Sequence, residues 1–346
     1  MERNNGFRVT GPLRIGSLCT GYGGLDMAVQ AVFGGHLSWC ADNDRHVSNI
    51  LAARYPDVPN LGDLTKLDWA SVAKVEIICA GFPCQDISYS GLGAGIEKGD
   101  RSGIWKNIIQ GVRLLRPKVI VVENVAAIRS RGLDRVLGDL AAVGYDSVWT
   151  SLRASDIGAA HRRERVFVLA YRPGGRNITA AAYARCQRRF RWSNDRAAQS
   201  WRTSGRSVRL GHLAVSAKVH SGSTQSSSVG SIAWGRYREA IARWAAITGR
   251  RAPYPTERGT RGQARLSPAF SEWLMGLPTG LVTGVGLPYT AQHRAIGNGV
   301  VPLQAVAALM QLTTMAAWPT MSPKPLLFND IISWRELWAV TLAGNG

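Results

Sequence analysis

Cysteine is scarce in this sequence. Five occur in 346 residues (Cys19, Cys40, Cys79, Cys84 and Cys186), an odd number with no C-x-x-C pair. That argues against a disulfide framework and against a zinc site, and it fits a reducing, intracellular setting. Long apolar runs are missing too. None approaches the ~20 consecutive residues that span a bilayer. The opening stretch MERNNGFRVTGPLRIG has no apolar signal-peptide core. A cytoplasmic protein without a membrane partner is expected. No internal repeat is visible. Acidic residues are also few: 42 Lys and Arg face 23 Asp and Glu, giving a formal charge of +19. The imbalance is local. From Arg172 to Arg265 there are 19 basic and three acidic side chains (Asp195, Glu239, Glu257), an excess of 16. Such clustering favours contact with a polyanion, nucleic acid first, over a merely solvated surface.

Residues 14 to 170 read as alternating strands and helices. RIGSLC, LSWCAD, VEIICA, KVIVVENV, DSVWTSL and RVFVLAY are short β-branched or apolar runs. Between them, LDMAVQAVF, RHVSNILAARY, GIWKNIIQGVRLL and LDRVLGDLAAVG carry helical spacing. Alternation of this kind predicts a parallel sheet with helices on both faces, an α/β fold. The pattern stops after Tyr171. Residues 176 to 231 show little periodicity, and SGSTQSSSVGS resembles a flexible linker. Order returns in WGRYREAIARWAAITG, in SPAFSEWLMGLP with Ser267 as helix cap, and in an apolar helix from near Pro302.

Three places carry chemistry. SLCTGYGGLDMA is strand, glycine turn, helix; Gly21, Gly23 and Gly24 let a ligand approach the backbone, and the helix N-terminus favours negative charge. Asp42, ending the next strand, suits ribose hydroxyls, and Asp63 in NLGDL suits an adenine amino group. Together they indicate an adenosine-bearing cofactor. The turn does not match G-x-G-x-x-G, which counts against a nicotinamide oxidoreductase. Second, CAGFPCQDIS sets Cys84 beyond an apolar strand broken by Gly81 and Pro83. On position alone Cys84 is either a nucleophile or a small buried hydrophobe. Third, Glu123 ends an apolar strand, where a carboxyl can hold a raised pKa and donate a proton. Arg163 and Arg165 lead into another strand at alternate positions, so they face one side.

The ordered blocks GYGG, ADND, GDL, GFPCQDIS, ENV, RRER, RLSPAFSEWLMGLP and AIGNGVVP resemble those of the DNA (cytosine-5) methyltransferases, over about residues 13 to 171 and 264 to 310. The resemblance implies a Rossmann-like sheet that binds S-adenosyl-L-methionine and yields S-adenosyl-L-homocysteine. It implies that Cys84 adds to C6 of a flipped-out cytosine, with Pro83 shaping its turn. Glu123 would meet N3 and the exocyclic amine, Asn124 would brace the strand end, and Arg165, supported by Arg163, would contact O2. The cofactor would be held by Cys19, Thr20, Gly21, Tyr22, Gly23, Gly24 and Leu25, by Asp42, Asn43, Asp63, Leu64 and Pro83, and by Asn298 and Val300. Gln85, Ser88, Ser90 and Arg101 are candidate DNA contacts, and Ser90 to Gly103 would close over the base.

The chain departs from the family pattern at Cys19, where an aromatic residue is usual, at Asp42–Asn43, usually a longer acid and an aromatic, and at Ala160–His161, usually proline and glutamine. The implied organisation is a catalytic domain over 13–171, a small irregular basic target-recognition domain over 172–263, a return to the catalytic domain over 264–318, and a tail at 319–346 without functional signal. Duplex DNA is the expected partner of a monomer, with a cognate restriction endonuclease as a further candidate. Two readings compete: a transfer RNA cytosine-C5 enzyme, and a DNA-binding protein without catalysis. The full G-F-P-C block argues against the first, and intact Cys84, Glu123 and Arg165 against the second.

Overall fold

In the computed structural model, residues 12–83, 102–189, 232 and 234–317 are described. Cys84, Gln85, Ser88, Ser90, Arg101, the serine-rich stretch and the tail lie outside them. The first half builds one sheet from β1 (Arg14–Leu18), β2 (His36–Ala41), β3 (Ile77–Ala80), β4 (Val119–Val125), β5 (Asp146–Arg153) and β6 (Glu164–Tyr171). Its order is β2-β1-β3-β4-β6-β5. Helices α1 (Gly24–Phe33), α2 (Arg45–Arg54), α3 (Ser102–Leu115), α4 (Ile128–Arg131) and α5 (Leu133–Ala142) connect the strands.

The expectation of a wholly parallel sheet needs one correction. β1 to β4 are parallel, but β6 runs antiparallel to both β4 and β5. No long helix lies between β5 and β6, only the turn Ala154–Ile157. A parallel pairing requires a crossover of a dozen or more residues, so the chain turns back instead. This reversal matters for the site. It brings the first residues of β6, not its last, to the edge where β1, β3 and β4 end.

Both faces of the sheet are covered. Within β4, Val119 and Val121 join a core with α1, α2 and later helices, while Ile120 and Val122 join a core with α3 and α5. Period-two alternation of two apolar faces is what a central strand requires. All ten residues of α1 are buried. Gly16 has no freedom to change, because a Cβ there would meet the Trp39 ring at 2.2 Å.

The second half supplies α6 (Arg176–Arg189), α7 (Arg238–Thr248), the hairpin β7 (Thr256–Arg258) and β8 (Ala264–Leu266), α8 (Pro268–Leu274), α9 (Tyr289–Asn298) and α10 (Pro302–Ala317). The loss of periodicity after Tyr171 does not mark the end of packing: α6 lies against α1 and α10. Its inward residues include Ile178 and Ala182, and alanine leaves a weak hydropathy signal. Residues Tyr289–Ala317 are apolar and long enough to pass for a membrane span when α9 and α10 are joined, yet 78% of an apolar 18-residue portion of that stretch is buried inside the molecule. α10 packs on α1, β5 and β6 as a core helix.

Candidate active site

The β1–α1 turn is held open by backbone geometry. Gly21 and Gly23 take positive φ (58° and 84°), and Cys19 does the same at 53°. The Gly21 amide donates to Asp42 Oδ2 at 2.9 Å, and the Asp44 amide donates to Asp42 Oδ1 at 3.0 Å. Asp42 is therefore fixed at the end of β2, and burial pushes its pKa up. Tyr22 turns away from the ligand side. It is fully buried and donates to the Val300 carbonyl at 2.6 Å. A Cβ on Gly299 would lie 1.9 Å from its ring, so a glycine there makes the contact possible. This hydrogen bond ties the glycine turn to the segment before α10.

A cavity of about 710 Å³ opens along the C-terminal edge of β1 to β4. Cys19, Thr20, Gly21, Gly24, Leu25, Asp42, Asn43, Asp63, Leu64, Pro83, Asn298 and Val300 line it, together with Glu123, Asn124 and Arg165. Tyr22, Gly23 and Arg163 stand behind that lining. Asp63 accepts from the Thr65 hydroxyl at 2.7 Å and the Thr65 amide at 3.0 Å. Those bonds hold its carboxyl below the usual range. The Cys19 thiol is pushed up to about 12, by burial first and then by Asp42 and Asp63, so it stays neutral.

The opposite end of the cavity is different chemistry. Glu123, 6% exposed, receives Arg165 Nε at 2.9 Å. Burial raises the Glu123 pKa even against the pull of Arg165 and Arg163. Arg163 donates from Nη2 to the Gly299 carbonyl at 2.7 Å. Its own pKa falls to about 10, through burial and then Arg165. Asn124 donates to the Phe82 carbonyl at 3.4 Å and accepts the Val125 amide at 2.8 Å. It thus links the end of β4 to the turn that delivers Pro83, and Cys84 is the next residue along the chain.

Sequence reasoning missed several lining residues: Asp26, Asp44, His46, Val47, Ile104 and Arg294. Asp44 had a readable signal, since its side chain caps α2 by accepting from the His46 and Val47 amides. Asp26 is buried in the first turn of α1 and accepts the Cys79 thiol at 3.0 Å. Arg294 had none, because α9 is short and mixed in polarity.

The cavity has room and charge for a cationic ligand beside the glycine turn. The space at Gly21 is open, with nothing within 4 Å of where a Cβ would stand. Its walls carry five carboxyls (Asp26, Asp42, Asp44, Asp63, Glu123) against two guanidiniums (Arg165, Arg294), which suits a cation.

A family model described as C-5 cytosine-specific DNA methylase matches residues 13–233. Type II methyltransferase M.HhaI of Haemophilus parahaemolyticus is 30% identical over 164 residues, covering 46% of this chain and 49% of that protein. Type II methyltransferase M.DsaV of Dactylococcopsis salina is 28% identical over 163 residues, covering 46% of each. The chain spans about half the length of these curated relatives. Among solved structures, the S. pombe Dnmt2 methyltransferase aligns at TM-score 0.53 and 14% identity, covering 89% of this chain and 100% of that one. A putative DNA modification methyltransferase encoded within an E. coli prophage aligns at TM-score 0.51 and 18% identity, covering 86% and 97%. These two support the fold.

Proposed function

The chain belongs to the C-5 cytosine-specific DNA methylase family, and from that membership we propose that it transfers a methyl group from S-adenosylmethionine to C5 of cytosine in duplex DNA. The observation that carries the reading is the pairing of Glu123 with Arg165 in a cavity whose far end holds Asp42 and the glycine turn.

The chain's own residues supply the chemistry that cytosine needs. C5 of cytosine is a weak nucleophile. The Cys84 thiolate adds to C6, and the electron pair of the C5–C6 double bond makes C5 enamine-like. Glu123 meets N3 and the exocyclic amine; its raised pKa lets it carry the proton that offsets charge on the ring. Arg165 contacts O2 and keeps Glu123 in place, while Arg163 anchors behind them on Gly299. When bound, S-adenosylmethionine would supply an electrophilic methyl to C5, its sulfonium leaving as the neutral thioether S-adenosylhomocysteine. Loss of the C5 proton and cleavage of the sulfur–C6 bond restore the aromatic ring and free Cys84. The base must leave the duplex to reach this cavity, with Gln85, Ser88, Ser90 and Arg101 on the DNA side.

Residues 172–263 are the proposed recognition segment. Charge alone overcounts its DNA-facing set. Arg243 donates to the Gly158 carbonyl and Arg250 to Leu277 and Thr279, and just beyond the segment Arg265 pairs with its Glu257 over the Tyr289 ring. The Type II designation of the curated relatives supports a restriction endonuclease as cellular counterpart, and the chain is proposed to act as a monomer.

The test is base-resolution mapping of 5-methylcytosine in a host that lacks cytosine methylation, with wild type and Cys84→Ala. Methylation at a short defined motif, absent with the variant, is the expected result. A soluble, folded wild type that leaves plasmid DNA unmodified overturns the reading.

A further inference from the structure

The cavity has two facing walls from distant parts of the chain. Asp42 and Asp44 lie on the link from β2 to α2 and Val47 in α2, while Arg294 and Ala295 belong to α9. At the solvent side the walls are joined: Arg294 Nη2 meets Asp44 Oδ2 at 2.8 Å. The Arg294 side chain is 57% exposed and that of Asp44 31%, so the pair stands at the mouth rather than the floor. The two partners differ in freedom. Asp44 is fixed, because its Oδ1 caps α2 by accepting the His46 amide at 2.7 Å and the Val47 amide at 3.2 Å. Arg294 is a long side chain, free to swing from its Cα.

We propose that Arg294 and Asp44 form an ion-pair gate across the mouth of the cavity, which sets how fast the cofactor enters and its product leaves. The proposal rests on reading this cavity as the S-adenosylmethionine site, and it adds positioning residues that the glycine turn and Asp42 do not supply. An exposed ion pair is weak. It biases the closed arrangement by about two- to fivefold, which is too little to hold the fold but enough to slow exchange. A gate of this kind acts equally on the empty and the filled site. It therefore slows association and dissociation together and leaves the equilibrium constant nearly unchanged.

The probe is S-adenosylhomocysteine, which is net neutral near pH 7, so salt does not steer its approach. Its binding to the full chain is followed by stopped flow, with equilibrium affinity measured by calorimetry. Asp44→Asn removes the charge and retains a good helix cap; Arg294→Gln removes the other partner, and Arg294→Lys restores a cation. In Asp44→Asn and Arg294→Gln both rate constants should rise about two- to fivefold with affinity held. Wild-type rates should climb with salt towards those of the variants, whose rates stay flat, and Arg294→Lys should recover the salt response. Unchanged variant rates overturn the gate. A rise in dissociation alone, with affinity lost in proportion, also overturns it and makes the pair direct ligands. If wild type does not bind the probe at all, the cofactor reading of the cavity fails, and the gate falls with it.

Discussion

Glu123 and Arg165 stand on neighbouring strands of opposite direction, and their contact is set by that reversal. The pair is nearly buried, so breaking it leaves one charge without its partner. In Arg165→Met the Glu123 carboxyl loses the group that most restrains its pKa, and the folded-state value climbs further. A carboxyl raised in the folded state contributes stability below its unfolded pKa and loses it as pH rises through the folded value. The variant should therefore be weakest at neutral and alkaline pH, by up to about 3–5 kcal/mol, and should approach wild type only below pH ~4.3. Denaturant melts at several pH values check this. Glu123→Gln should cut methylation by about 10²–10⁴-fold while S-adenosylhomocysteine still binds, as calorimetry would show. His161 has the opposite sign. It is 2% exposed, contacts the Leu274 carbonyl at 3.0 Å, and is held down to about 4 by burial and then Arg163. Its contribution is present above pH 6.5 and is lost as pH falls towards 4, worth up to about 3 kcal/mol. Acid unfolding of His161→Gln should be shallower over that window.

Single elements carry their own predictions. Ser267 caps α8 by accepting the Phe270 amide at 3.3 Å, so Ser267→Ala should cost about 1 kcal/mol in thermal unfolding. Gly299→Ala would drive a methyl group into Tyr22 and off the Val300 carbonyl bond. It should lower both Tm and affinity for S-adenosylhomocysteine, whereas Ser267→Ala should lower Tm alone. The strands and α1, α2, α3 and α5 were legible because their apolar residues recur at spacings of two or 3.6. The direction of β6 was not, since an apolar run has no polarity; only the missing crossover helix hinted at it. α6 hid behind alanines and arginines, and β7 and β8 are three residues each, too short for alternation to register. The motifs named residues that surround one cavity, but they did not separate the lining from what stands behind it. Tyr22 and Arg163 sit in the same blocks as Gly21 and Arg165, and only packing decides that each of the former reaches back to residues 299–300.

At the scale of the molecule the +19 charge predicts DNA binding that weakens steeply with salt. With six or more phosphates contacted, affinity should fall on the order of 10³-fold or more between 50 and 200 mM. Arg250→Gln should shift Tm and leave the salt slope unchanged, because that guanidinium is held by Leu277 and Thr279. A fluorescence titration across salt concentrations separates the two. The burial of α1 reaches further still, into the order in which the protein is made. That helix is buried on every side, and part of its cover is α10, which leaves the ribosome roughly 270 residues later. At about 5–20 residues per second the interval is on the order of 15–50 s. Throughout it, the growing chain carries a helix whose partner has not yet been translated, and its apolar residues Leu25, Met27, Val29, Val32 and Phe33 are the surface on which a nascent-chain chaperone would settle.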